Sequence, residues 1–441
     1  MLNVNVVDGL NIKTIVRINK YIFLILLLIG CQKEELVVPD PVEPPCEIDY
    51  STLQTGINLL TCHYESDITP FVDYADKLGV TLAHLGSFTI WSGHGDFNNN
   101  ETSDYVMVPS DWTNPSVNEV VIVIDDVIAH AFPNPQTFTR KVTVTDLNQD
   151  GVDDIVLFGT GEDIADSPGD ETVVIYMYPG GNYSISEIGT SSGYYHTGAV
   201  GLLDGNNLSI IEIDAQAFTK GGFVKYLTNN ADQWIESETN ITTHHVARTY
   251  QSELYDFDRD GILDLILGGA EWEEAWMETS LRPVQWRTHI LKGLGNGQFD
   301  IENPTLLPII PDWGVITDFD MYDIDGDGST EIMVTRTTGK NGATALPIDN
   351  EFYDGILIQI LDQDSDGWYE SQRIEQPSSV LPLKTVWAYN TMVYDVNMDC
   401  LLDLVPQSDK LNSASYAPFN TIRGLYYEQQ SDGTFKTKYK S

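Results

Sequence analysis

The chain has 441 residues, 42% of them apolar, and a formal net charge of −43. That length and apolar share supply a sizeable core, and they exceed most single domains unless the fold is a repeat. The charge excludes nucleic acid as a partner, because its phosphates are repelled, and points to an acidic surface that keeps cations nearby.

Residues 1–30 read as a secretory signal peptide. Lys13, Arg17 and Lys20 precede the apolar run from Tyr21 to Ile29, and the small Gly30 precedes Cys31. The run is too short to span a bilayer, which takes about 20 apolar residues. Leu28-Ile29-Gly30-Cys31 resembles the lipobox of bacterial lipoproteins. The resemblance implies a mature chain lipidated at Cys31 and attached to the membrane through that lipid only. Residues 31–45 carry four prolines and no apolar periodicity, as an extended tether would. Within them Gln32-Lys33-Glu34-Glu35 resembles the surface-export signal of Bacteroidota lipoproteins, which implies an outer-membrane protein facing the cell exterior. Cys46 and Cys62 are candidates for a short-loop disulfide, and Cys400, with no obvious mate, is expected to be a free thiol.

From residue 80 onward one acidic pattern recurs, D-x-[DN]-x-[DN]-G-x-x-[DE], each time followed by a short apolar run. The copies place oxygen ligands at Asp96, Asn98, Asn100 and Asp104; at Asp146, Asn148, Asp150 and Asp154; at Asp256, Asp258, Asp260 and Asp264; at Asp323, Asp325, Asp327 and Glu331; and at Asp395, Asn397, Asp399 and Asp403. The chemistry is that of Ca²⁺, a hard ion that takes six to eight oxygens at roughly 2.4 Å. Places 1, 3 and 5 converge when the loop curls, and place 9 closes the shell. Place 7 offers a backbone carbonyl, at Val152, Ile262, Ser329 and Leu401. Glycine at place 6 permits the positive φ of a sharp turn; Glu101 and Cys400 depart from it. An EF-hand is excluded, because its closing acid stands at place 12, here Leu157, Leu267, Val334 and Pro406. Short runs rich in Ile, Leu and Val read as buried strands rather than helices.

Place 1 falls at 96, 146, 256, 323 and 395, and midway through the long second step GLLDGNNLSIIEID begins at Gly201. Aligned with Gly201 at place 1, this sixth copy keeps its strand and lacks the ligands. A second signal runs in step, turn residues followed by an aromatic: GGNYSI (180–185), ADQWI (231–235), GNGQF (295–299), DSDGWYE (364–370) and SDGTF (431–435), with FPNPQTF (132–138) taking that slot in the first repeat. These read as tips of β-hairpins. Asp362 to Glu370 fits the calcium pattern too, but its position favours the hairpin.

Strand, loop, strand and hairpin at this period indicate propeller blades. The motifs resemble the FG-GAP/VCBS repeat family, relatives of the integrin alpha-chain propeller, over roughly residues 80–441. The resemblance implies an all-β fold, a six- or seven-bladed β-propeller of four-stranded blades with calcium-binding loops joining the first strand to the second. Residues 46–441 form the expected propeller domain. Residues 46–80 are a seventh blade, a cap or a small helix over 68–78, and seven blades is the preferred count.

By carboxylate number the loops at Asp256 and Asp323 bind most tightly and that at Asp96 least. The calcium is expected to be structural, since the pattern fills its shell with protein oxygens. In such a blade the extra length lies on the face opposite the calcium: 161–171, 270–286, 336–355 and 406–423. The segment 270–286 holds Trp272, Trp276, Arg282 and Trp286, suited either to stacking on a sugar or anchoring a protein, or to packing the loop onto the blades. His196, His244, His245 and His289 are scattered and form no recognisable catalytic constellation. The leading expectation is a calcium-stabilised surface propeller that binds a glycan or protein ligand without chemistry. A surface polysaccharide-degrading enzyme of lyase type and a structural partner in an envelope complex are the alternatives.

Overall fold

In the computed structural model the described residues are 54–55, 89–100, 102, 104–110, 118–125, 127–162, 168–203, 207–216, 222–230, 233–246, 248–271, 287–311, 313–337, 356–376, 388–394, 397, 399–408 and 425–439. The chain divides into two units; all described residues fall in Ile48–Ser441, and Met1–Glu47 contains none. The signal, tether, Cys31 and the Cys46–Cys62 pair therefore lie outside the described residues.

Among the described residues six antiparallel sheets, each with four blade strands, follow one another along the chain. Blade 1 comprises Thr89–Gly95, Asp104–Ser110, Glu119–Ile124 and Val127–Pro133. Blade 2 comprises Thr139–Thr145, Asp154–Gly159, Asp170–Tyr178 and Asn182–Gly193. Blade 3 comprises Tyr195–Gly201, Ser209–Asp214, Phe223–Asn230 and Gln233–Thr242. Blade 4 comprises Thr249–Tyr255, Asp264–Gly269, His289–Leu291 and Thr305–Leu306, with a small hairpin of Gly293–Gly295 and Gln298–Phe299. Blade 5 comprises Val315–Tyr322, Glu331–Thr337, Ile356–Asp364 and Gly367–Gln376. Blade 6 comprises Ala388–Tyr394, Asp403–Ser408, Leu425–Gln429 and Phe435–Tyr439.

The fold is thus an all-β, six-bladed propeller, and the preference for seven is corrected. The one described piece of the N-terminal segment, Gln54–Thr55, is not a blade; it pairs antiparallel with the first strand of blade 5, Gln54 opposite Met321 and Thr55 opposite Asp320. The expected helix over 68–78 lies outside the described residues.

Apolar side chains explain why each blade needs its neighbour. In blades 2, 4 and 5 the second strand is buried along its whole length, DIVLFG and DLILGG among them. A strand buried on both faces reads as a continuous apolar run. Hydrophobic clusters fill the seams between consecutive blades: Trp91, Val106, Val142 and Val173 between blades 1 and 2, and Phe158, Val174, Ile210 and Leu227 between blades 2 and 3. Glycine makes room where a large neighbour crosses. A Cβ on Gly198 would lie 2.1 Å from Phe158 Cε1, and one on Gly268 2.4 Å from Phe319 Cζ. The first strands of consecutive blades lie side by side and form the inner wall.

Glu212 sits in the seam of blades 2 and 3, 3% exposed. Its Oε1 accepts from Thr172 Oγ1 at 2.6 Å, and its Oε2 is buried with no hydrogen-bond partner among the described residues. Burial pushes its pKa up to about 7, against smaller opposing effects of the Thr172 and Tyr195 hydroxyls. Between the unfolded value of 4.5 and that pH the folded state keeps a proton that the unfolded state releases, so stability falls as pH rises through this window. Glu212→Gln is expected to remove that slope and to stabilise the protein at pH 8 by up to about 3 kcal/mol. Urea midpoints of both proteins at pH 5 and pH 8 check it; parallel pH dependences would refute it.

Candidate metal centres

The five ligand-bearing loops join the first strand of a blade to the second, as expected, and their turns are built alike. At 146–154, Asp146 Oδ1 accepts from Asp150 N at 3.0 Å, Asp146 Oδ2 from Gly151 N at 2.8 Å, Asn148 Oδ1 from Asp150 N at 3.0 Å, and Asp150 Oδ1 from Val152 N at 3.0 Å. At 256–264 the same set joins Asp256 to Asp260 and Gly261, Asp258 to Asp260, and Asp260 to Ile262. At 323–331, Asp323 accepts from Gly326 and Gly328, Asp325 from Asp327, and Asp327 from Ser329. The loop at 96 keeps Asp96 on Asn98 and Asn100, and Asn100 on Thr102; the loop at 395 keeps Asn397 on Asp399 and Asp399 on Leu401. Asp395 lies outside the described residues. Short carboxylate and amide side chains accepting from N–H groups two to five residues on curl the chain and turn their remaining lone pairs inward.

In the turns at 146, 256 and 323 two backbone positions are left-handed, where the sequence pattern shows one. Place 6 has φ of 88°, 84° and 88° at Gly151, Gly261 and Gly328, and 75° at Cys400. Place 4 is also left-handed: Asn99 at 61°, Gln149 at 59°, Arg259 at 60° and Gly326 at 76°. This second position escaped the pattern because its residue type varies. Gln149 is exposed, so Gln149→Gly removes strain without losing a packed contact. It is expected to raise stability by up to about 1 kcal/mol, and a thermal melt that falls instead would contradict it.

The place-9 acids hold backbone N–H groups. They are buried, Asp104 at 1%, Asp154 at 0%, Asp264 at 2%, Glu331 at 4% and Asp403 at 0% exposed. Asp104, Asp154 and Asp264 each accept the place-2 N–H on one oxygen and an N–H from the end of the third strand on the other. The donors are Phe97 and Asp125, Leu147 and Met177, and Phe257 and Gly293. Glu331 accepts from Ile324 and Asp403 from Gln429. Each acid is therefore a clasp between loop and sheet. Burial pushes the pKa values of Asp104, Asp154, Asp264 and Glu331 up, to about 6 for Asp104 and about 7 for Asp154 and Glu331.

The donor sets fit a calcium ion. Asp323, Asp325, Asp327 and Glu331 each bring an oxygen to within 4.8 Å of the others, as do Asp256, Asp258 and Asp260. Every side chain in these sets is a hard oxygen donor, and Asn98 Oδ1 in the first loop is a buried oxygen without a hydrogen-bond partner among the described residues. Residues outside the pattern join the loops as well, among them Glu428 at the exit of the third strand of blade 6, which accepts from Asn397 Nδ2 at 3.2 Å. Asp125, at the hairpin of blade 1, accepts from Asn98 Nδ2, Asn100 Nδ2 and Thr102 Oγ1. Lys292, after the third strand of blade 4, bonds Asp258 and Asp260. Neighbouring loops also tie together. Asp153 N donates to Asp96 O at 3.1 Å, Asp153 Oδ2 accepts from Asp96 N at 2.9 Å, and the Arg259 guanidinium donates to Gly328 O.

The sixth loop differs from its expected alignment. Gly201 is the last residue of its strand, pairing with Ser209, so the loop spans 202–208 and is one residue shorter than the others. The hairpins fall where expected for five of the six segments. Asp364 pairs with Gly367, which makes 362–370 a hairpin as favoured. FPNPQTF is the exception. The blade 1 hairpin turns at 125–126, and residues 134–138 link to blade 2, where Gln136 Nε2 donates to Leu157 O and Glu171 O. Cys400 is corrected as well: it is disulfide-bonded, not a free thiol.

Trp272, Trp276, Arg282 and Trp286 lie outside the described residues; the two ends of the segment that carries them are Glu271 and Arg287. Glu271 Oε1 accepts from Thr288 N at 2.9 Å, tying the two ends together. Glu271 Oε2 accepts from Arg336 Nη1 at 2.5 Å, and this pair is buried, at 6% and 0% side-chain exposure. Arg336 further donates to Trp313 O, Pro308 O and Gln359 Oε1. His289 is buried beside these ends, and burial depresses its pKa to about 4.

No family model matches the chain, and no curated protein matches it. Among solved structures it is similar to the rhamnogalacturonan lyase YesW, with 11% identity and a TM-score of 0.36 over 80% of this chain and 58% of that one. The chain thus spans 58% of the length of that lyase. It is also similar to AofleA from Arthrobotrys oligospora, with 9% identity and a TM-score of 0.41 over 81% of this chain and 88% of that one. A Bacillus licheniformis rhamnogalacturonan lyase matches at 12% identity and a TM-score of 0.29, over 79% of this chain and 55% of that one.

Proposed function

We propose that the protein is a calcium-stabilised, lipid-anchored cell-surface propeller that binds a glycan or protein ligand. The observation that carries the calcium reading is the four-oxygen cluster of Asp323, Asp325, Asp327 and Glu331, set on a turn that recurs in the other loops. Bound ions would neutralise carboxylates that otherwise repel, and would pin the first strand of a blade to the second; metal binding to the folded state alone adds to folding free energy. In this chain Asp323, Asp325, Asp327 and Glu331, and Asp256, Asp258 and Asp260, would hold them.

Ligand binding is assigned to the other face, where the connections between second and third strands are long. The loop rooted at Glu271 is the best placed of these, because its two ends are fixed on buried polar groups and its tryptophans offer broad faces to a sugar ring or an apolar protein anchor. A glycan array probed with the purified protein in calcium and in EDTA tests the proposal, together with native mass spectrometry to count bound ions. Several calcium ions per chain and binding that weakens in Trp272→Ala or Trp286→Ala are expected. Absence of calcium binding sinks the scaffold reading, and binding unaffected by both tryptophan variants sinks the assignment of the face.

A further inference from the structure

The residue at the exit of the third strand differs between blades, and it sits against the ion loop. The backbone reason is common to them: an N–H at that exit donates to the place-9 acid, from Asp125, Met177, Gly293 and Gln429 in blades 1, 2, 4 and 6. In blade 4 the residue immediately before that donor is Lys292. Its ammonium bonds Asp258 and lies 2.9 Å from Asp260 Oδ2. Close approach of the strand fixes this position, since a Cβ on Gly293 would meet Leu263 O at 2.2 Å. The other base of the loop, Arg259, turns away onto Gly328 O of the next loop.

We propose that Lys292 is a tethered cation that competes with calcium for the 256–264 loop. This rests on the reading of the loops as calcium sites. A divalent ion shared by Asp258 and Asp260 must first displace the ammonium, which the flexible four-carbon stem allows. The loop therefore binds calcium more weakly than its four carboxylates imply, and it holds its turn when calcium is scarce. Asp125 has the opposite sign at the loop of blade 1, where it adds a carboxylate to a set with only two acids. Local charge beside each loop then adjusts the order set by the acids within it: 323–331 is tightest, 256–264 falls below it, and Glu428 adds a carboxylate beside the loop at 395.

The test titrates chelator-stripped full-length protein with calcium chloride by calorimetry, counting bound ions by native mass spectrometry. The proteins are wild type, Lys292→Met, Lys292→Arg, and Lys225→Met, whose lysine pairs with Glu236 away from the loops. Lys292→Met is expected to tighten one binding step by about tenfold, the size set by removing one unit charge at contact distance where bulk water screens it. It also melts lower than wild type in EDTA and at least as high in calcium. Lys292→Arg and Lys225→Met keep the wild-type calcium profile. If calcium binds but Lys292→Met leaves every step unchanged, the role of Lys292 is overturned while the calcium reading stands. An equal loss of stability with and without calcium marks an ordinary surface ion pair and also overturns it. If no variant binds calcium, both readings fall.

Discussion

Replacing Lys141 by alanine is expected to destabilise the protein by about 3–5 kcal/mol, the cost of stranding a buried charge. Lys141 stands on the first strand of blade 2, 0% exposed, and its ammonium reaches across the inner wall. It donates to Gly198 O of blade 3 and Ser252 O of blade 4, each at 2.8 Å, and to Glu253 Oε1. Burial pushes the Glu253 pKa up and Lys141 opposes it, so removing the lysine leaves that acid without its counter-ion. Asp318 is raised well above its ordinary value by burial and by Asp320, and Lys141 again opposes the shift. Truncation thus exposes the wall to an excess of acid and orphans two carbonyls. The double variant Lys141→Met, Glu253→Gln is expected to lose less than Lys141→Ala, because both charges leave together and most of the volume stays. Equilibrium urea unfolding gives both numbers; a double variant weaker than the single one would show that the ion pair is not what Lys141 supplies.

Chelation is the second large perturbation. At a hundredfold excess of ion over its dissociation constant, one site binding only the folded state contributes about 2.7 kcal/mol. Several independent sites of that kind sum to roughly 10 kcal/mol, and in EDTA the melting temperature is expected to fall by at least about 10 °C. Magnesium should not restore it, since the smaller ion demands a tighter octahedral shell than these loops provide. Asp323→Asn combined with Asp325→Asn should remove one site and about its share of the shift. Equal melting curves of metal-free and calcium-loaded protein would end the calcium reading.

How much of this was legible in the chain follows from which interactions are local. Asp150 N bonds Asp146 and Ser329 N bonds Asp327, all within nine-residue loops, so a spacing rule captures both the turn and the strand after it. The loop at 202–208 shows the limit. Its strand was legible, but its register was not, because pairing of Gly201 with Ser209 is decided by a ladder and not by a motif. FPNPQTF failed for a related reason: its prolines and asparagine look like a turn, and only the pairing of Ile124 with Val127 places the real hairpin earlier. The left-handed place 4 had no constant residue to reveal it, since Asn99, Gln149, Arg259 and Gly326 all adopt it.

The sequence alone determined that the chain is a β-propeller of repeating blades with acidic first loops, because the periodicity of acids, glycine and β-branched runs is written in short segments. Only the tertiary structure decided the number of blades, the bond made by Cys400, the burial of Lys141 and Arg336 with their acids, and the presence of Lys292 and Asp125 beside particular loops. These all join residues tens to hundreds of positions apart. Their energies depend on burial and on which charge faces which, and no local pattern of residues encodes either.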